Sequence, residues 1–332
     1  MPAEEKMRLV IIITLIYIFS SSLRAEKLTI YTYDSFVSEW GPGPIVEKIF
    51  EDKYEIDLQF IAVDSAATLL NKIILEGENT KADLVLGLDM NLFNAAEKSK
   101  LFVSHNMKNI NNKLTLPLNW ESDIFVPYNY GYFAFVYNNK TLKNPPLSME
   151  DLINKTDARI VIQDPRTSTP GLGLLTWMKA LYGDSAQNKW SQLNKKIISV
   201  TKGWTDAYYN FFMAGEADIV LSYSTSPAAH IMFEENYDIS ASTFKEGNYI
   251  SVEFAGILNS SKNKQMANKF LDFMISDDFQ KVIPGTNIMY PVTNVEMPEA
   301  FNKLEIPKFL QLDPKDINDN KDTWINEWLN AS

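Results

Sequence analysis

The chain has 332 residues, a formal charge of −11 and no cysteine. An acidic balance of this size disfavours nucleic acid as a partner, and the missing thiol excludes disulfides, thiolate nucleophiles and lipid attachment at a cysteine. With 45% hydrophobic and 22% charged residues, it is a globular chain long enough for two domains.

Residues 9–19 (LVIIITLIYIF) are an apolar run too short to span a bilayer. Lys6 and Arg8 precede it, and small residues ending at Ala25 follow. That layout predicts a secretory signal peptide over 1–25, cleaved after Ala25. The alternative is an anchor left uncut. Glu4 and Glu5 sit oddly in a positive leader, so Met7 competes with Met1 as the start. Cleavage removes three basic and two acidic side chains and leaves a charge of −12. Export without a lipid-bearing cysteine predicts a free periplasmic protein.

Residues 27–31 (KLTIY) alternate as a first strand and run into a loop carrying Tyr33, Asp34, Ser35 and Phe36. Gly-Pro pairs at 41–44 close that loop, and Pro44 opens a helix with Ile45, Val46, Ile49 and Phe50 on one face. Ile56, Leu58 and Phe60 mark the next strand, 66–75 a helix stopped by Gly77, 82–88 a buried strand and 92–98 a short helix. This β-α-β-α-β order predicts a parallel sheet covered by helices. A strand follows at 131–137, a break at Asn144-Pro145-Pro146, and a short helix at 148–153.

The stretch 160–174 (IVIQDPRTSTPGLGL) runs from a buried strand through Asp164-Pro165 into three hydroxyls, Thr167, Ser168 and Thr169. Thr169 suits the N-cap and Pro170 the first turn of a helix that runs to about Leu181 and stops at Gly183. Free N–H groups at such a start can cradle a phosphate or carboxylate; a well-capped turn without a ligand is the other reading. Helices over 186–196 and 207–214, the latter capped by Thr205 or Asp206, flank a strand at 197–200. Residues 217–223 (ADIVLSY) echo 82–88 (ADLVLGL), as if the same unit recurs in a second domain. A strand at 249–258, a helix at 263–276 and a C-terminal helix with Trp324 and Trp328 complete the chain. Two α/β lobes predict a ligand cleft between them.

The runs YTYDSF (31–36), WGPGP (40–44), ADLVLGLD (82–89) and VPYNYGYFAFVYN (126–138) are joined by QDPRTSTPGLGLL (163–175), TKGW (201–204), LSYSTSPA (221–228) and MYPV (289–292). Together they resemble the periplasmic thiamine-binding proteins of ABC importers. The resemblance implies a two-lobed, type II-like periplasmic binding protein fold. Lobe one would comprise 26–128 and 256–287, and lobe two 129–255 and 288–332. It also implies a monomer that binds thiamine, thiamine monophosphate or thiamine diphosphate, needs no further cofactor, and serves a membrane permease and its ATPase. The family's site falls on Tyr33, on Ser168 with Thr167 and Thr169, and on Trp204 and Tyr223. Aromatic faces suit the cationic thiazolium and flat aminopyrimidine, and hydroxyls suit a phosphate tail. The family's acidic residue at 65 is Ser65 here, after Asp64, and its aromatics at 229 and 288 are Ala229 and Ile288. Losing two rings while keeping the hydroxyls predicts a preference for the phosphorylated ligands.

Two rival readings come from the residues. His105 and His230 have no metal-ligand spacing and read as surface or capping side chains, and thiaminases of a related fold use a cysteine that this chain lacks. Binding without catalysis is therefore expected. The neighbours Tyr208 and Tyr209 offer phenolate ligands for ferric iron, against a helix with one packed and one exposed ring.

Overall fold

The computed structural model describes residues 26–155 and 157–331, so the expectations for the signal peptide and for the start residue fall outside the described residues. Among the described residues no helix is long and apolar enough to cross a membrane.

Eight strands carry the fold: β1 Lys27–Tyr33, β2 Asp57–Val63, β3 Leu84–Asp89, β4 Phe125–Asn138, β5 Ile160–Gln163, β6 Ile197–Thr201, β7 Ile219–Tyr223 and β8 Asn248–Leu258. They form one hydrogen-bonded path in the order β2-β1-β3-β8-β4-β7-β5-β6. Both ends of the path are parallel, β2-β1-β3 and β7-β5-β6, as the two echoing α/β units predict. The middle is antiparallel: β8 pairs with β3 on one side and β4 on the other, and β4 continues onto β7. β4 begins six residues before the strand expected from sequence and connects both units.

Helices cover the sheet where their apolar spacing demands. The helix Gly43–Tyr54 buries Val46 and Phe50, four residues apart, but Ile45, expected on that face, is 45% exposed. Phe50 meets Phe270 and Phe273 of the helix Lys264–Met274 at ring separations of 5.2 and 5.3 Å. Full burial of a Phe contributes about 2–3 kcal/mol, so this trio anchors both helices to the sheet. The helix Ala66–Glu76 is capped by Ser65, whose Oγ accepts from Thr68 N at 3.2 Å, and ends at Gly77 with φ +53°. With ψ −130° this is a positive-φ conformation that an L side chain enters only with strain, which glycine avoids.

Four local expectations change. Residues Asp34–Val37 form a helical turn where a loop was expected. Ser168, not Thr169, is the N-cap of the helix Thr169–Tyr182, and its side chain makes no capping bond. The segment Asp206–Met213 is a π-helix, a form enriched at functional sites. His230 is not a surface residue: it is 4% exposed, within the helix Ser226–Glu234.

Candidate functional site

Glu253 is the one charged side chain in the apolar strand β8, and it is buried. Its Oε2 accepts from Tyr33 Oη at 2.8 Å, Tyr128 Oη at 2.5 Å and Asn129 Nδ2 at 2.7 Å. Bulges on both neighbouring strands aim these groups. The β8–β3 register skips Gly87, and the β8–β4 register skips Tyr128. A bulge twists its strand and redirects a side chain. Gly87 has φ +102°, and a Cβ there would lie 2.4 Å from the Tyr33 ring. Only glycine fits, and its bare face seats Tyr33. Burial, reinforced by the Glu253 charge, pushes the Tyr33 and Tyr128 hydroxyls far up, so both remain neutral donors. Burial also raises Glu253, against the opposing pull of its donors.

Directly across β8–β3, Glu253 is the register partner of Asp89, which is 1% exposed. Opposed residues of an antiparallel pair project on the same face, with Cβ atoms about 5 Å apart. Asp89 Oδ1 accepts from Asn91 N at 2.8 Å, and Oδ2 accepts from Thr169 Oγ1 at 3.2 Å. Burial, with Glu253 adding to it, pushes Asp89 up to about 6. The hydroxyl expected to serve a phosphate is thus donating to a carboxylate. Tyr223 stands near both acids: burial, then the charges of Glu253 and Asp89, raise its hydroxyl. Its ring packs on Phe133 at 5.2 Å.

Tyr33, Thr169 and Tyr223, three of the residues expected at the site, therefore converge on Asp89 and Glu253. Trp204 stands beside them through Ser222, the neighbour of Tyr223. The indole Nε1 donates to Ser222 Oγ at 2.7 Å, and one indole face stacks on Tyr208 at 4.8 Å. Tyr208 is in turn bonded to His230 Nε2 at 2.8 Å, and His230 Nδ1 lies 2.9 Å from Glu234. This corrects the tyrosine-pair reading. Tyr208 is buried and engaged with His230, while Tyr209 is 52% exposed, so the two phenols do not converge on one metal position. Among the described residues no group of His, Asp and Glu could hold a metal.

The remaining expected residues sit apart from the acids. Thr167 Oγ1 donates to Lys202 O at 2.7 Å, and the Lys202 ammonium pairs with the exposed Asp64. Ser65 is occupied as a helix cap, and Ser168 is buried. Ala229 is half-buried on its helix. Ile288 is also half-buried and has φ +53°, an unusual value for a β-branched residue. A separate cavity of about 420 Å³ along the outer strand β2, lined by Lys27, Glu47 and Phe60 among others, shares no residue with this cluster.

Glu253, Asp89, Tyr128 and Gly87 were missed in the sequence. A signal was present: an acid inside an apolar strand (NYISVEFAGIL) and an acid ending a buried one (LVLGLD) are costly unless they do something.

The model of the bacterial extracellular solute-binding protein family matches residues 79–319. A thiamine-binding periplasmic protein of Escherichia coli is 48% identical over 92% of this chain and 93% of its own. The counterpart from Brucella melitensis is 47% identical over 92% of each chain. A solved periplasmic thiamin binding protein superposes with a TM-score of 0.90 at 47% identity, covering 94% of this chain and 98% of that one. A ferric binding protein from Campylobacter jejuni, at 20% identity and a TM-score of 0.78, shares the fold.

Proposed function

Because this chain belongs to the bacterial extracellular solute-binding proteins and, among them, to the thiamine-binding periplasmic proteins, we propose that it captures thiamine or a thiamine phosphate in the periplasm for an ABC importer. The observation that carries this is the meeting of Tyr33, Tyr223 and Thr169 around two buried carboxylates. Aromatic rings beside acids suit a flat cationic heterocycle. The reading is one of binding without catalysis, by a monomer that hands its ligand to a permease and its ATPase.

The lobes in this reading are 26–128 with 256–287, and 129–255 with 288–332. The Thr169–Asp89 hydrogen bond and the Lys202–Asp64 ion pair then bridge the two, which favours a closed cleft. Tyr33, Trp204 and Tyr223 supply the rings, and Asp64, Ser65, Thr167, Ser168 and Thr169 the polar groups. A phosphate at Thr169 would meet the Asp89 carboxylate, so the cationic half of the ligand becomes the main recognition element. This supersedes the preference for phosphorylated forms.

Trp204, packed on one face and half-buried, keeps its other face for the ligand. Thiamine is expected to change tryptophan emission, and Trp204→Ala to weaken binding by about 1–3 kcal/mol through lost stacking and cation–π attraction. Calorimetry that finds equal affinity in the variant removes Trp204 from the site.

A further inference from the structure

Asp89 and Glu253 are directly opposed on neighbouring strands, both buried, and among the described residues neither joins a salt bridge. Two like charges in that position repel, and burial raises the cost of each. The groups facing them are polar and carry no positive charge. Tyr33 from β1, Tyr128 and Asn129 from β4 and Thr169 from the helix start donate hydrogen bonds, Asn287 lies beside Tyr33 and Glu253, and Tyr223 from β7 stands within reach of both charges. Tyr249, further along β8, also feels the Asp89 charge. All four tyrosine hydroxyls are pushed up, Asp89 is pushed up to about 6 and Glu253 is raised as well, so the acids and not the phenols are the groups of this cluster placed to exchange a proton.

A second observation points into the same space. Asn129 is fully buried and donates to Glu253, yet its Oδ1 has no hydrogen-bond partner. Ser251, two residues from Glu253 and so on the same face of β8, is 1% exposed and its Oγ is likewise unpartnered. Two unpartnered acceptors beside two acids suit a cation that brings N–H donors.

We propose that Asp89 and Glu253 share one proton in the empty protein and release it to solvent when a cationic heteroaromatic ring docks against Tyr223, so that ligand capture is coupled to proton release. This rests on the thiamine reading above and adds to it a proton stoichiometry and a rule of selection: the pair favours ligands with a positive ring over neutral ones of the same shape. The balance is simple. One proton leaves the carboxylate pair, and the thiazolium charge takes its place beside two carboxylates. Interacting acids of this kind titrate as a pair, not as separate residues.

The test is calorimetry of thiamine at about pH 6 in buffers of different ionisation enthalpy, which counts protons exchanged. At pH 6, where an acid raised to about 6 is half protonated, the wild type is expected to release about half a proton per thiamine, the count growing toward one at lower pH and vanishing well above 6, and its affinity to rise with pH by up to tenfold per unit below about 6. Asp89→Asn, which keeps the shape of the side chain, is expected to bind thiamine with little proton exchange and a flat pH profile. Thiochrome, a neutral fused-ring relative of thiamine, is expected to bind the wild type more weakly and without proton release. Thiamine binding with no net proton release by the wild type overturns the coupling and leaves the thiamine reading standing. A proton count unchanged in both Asp89→Asn and Glu253→Gln overturns the assignment to this pair. No thiamine binding in any buffer overturns both the coupling and the function it rests on.

Discussion

Replacing Gly87 with alanine is expected to cost about 2–4 kcal/mol of stability and to weaken ligand binding with it. Two costs combine. At φ +102° an L-residue is strained, and the new Cβ would sit 2.4 Å from two carbons of the Tyr33 ring. Either the strand shifts or the ring leaves its seat, and the hydrogen bond from Tyr33 to Glu253 goes with it. Gly77 provides the control. It also has a positive φ, +53°, but nothing lies within 4 Å of its missing Cβ. Gly77→Ala therefore pays only the backbone term, about 1 kcal/mol, and leaves binding unchanged. Denaturant unfolding and thiamine titration of both variants decide the matter. Equal effects of the two substitutions on binding mean that Gly87 does not seat Tyr33.

The ligand-free protein is expected to lose stability as pH rises from about 4 to about 6, through the contribution of Asp89. In the unfolded chain this carboxyl has its ordinary value of 3.8, and in the folded protein burial pushes it up to about 6. Between those values the folded state binds more protons than the unfolded state, so stability falls with pH, and above about 6 the whole penalty is in place. A shift of this size corresponds to roughly 3 kcal/mol at most. Carboxylates held down by cations, such as Asp164 beside Arg166 and Asp218 beside Arg159, act in the opposite direction and at lower pH. The informative quantity is therefore the difference between wild type and Asp89→Asn. The variant is expected to match or exceed the wild type by about 1–3 kcal/mol at pH values near 8 and to lose that advantage near 4. A difference that stays constant across this range contradicts the burial of an ionised Asp89.

The parallel units were legible because each strand alternates or runs apolar for a few residues and each helix carries its own stop. Gly77 and Gly183 end helices where expected. The antiparallel join was not legible. Its first half, 125–130, contains Pro127 and a bulged Tyr128, which break the period-two signal that marks a strand. The cap of the helix Thr169–Tyr182 was misplaced by one residue because three successive hydroxyls are equally good candidates on local chemistry alone. Tyr33, Trp204 and Tyr223 stand out in the sequence as candidate ligand rings because they occupy motifs at or just past strand ends. The acids were missed because a lone Glu in an apolar strand shows its meaning only through register, and register between β3 and β8 spans 164 positions of sequence between Asp89 and Glu253. The burial of His230 is hidden in the sequence for the same reason: its partner Tyr208 lies on a π-helix 22 residues away.

The cleft that we propose, faced by Tyr33, Trp204 and Tyr223, binds thiamine or its phosphates. Titration calorimetry of the mature protein, stripped of bound ligand, with thiamine, thiamine monophosphate, thiamine diphosphate and ferric iron tests it most directly. The expected result is saturable binding of one thiamine per chain, phosphorylated forms no tighter than thiamine, and no specific uptake of iron. Tight iron binding with no heat from any of the three thiamine compounds would contradict it.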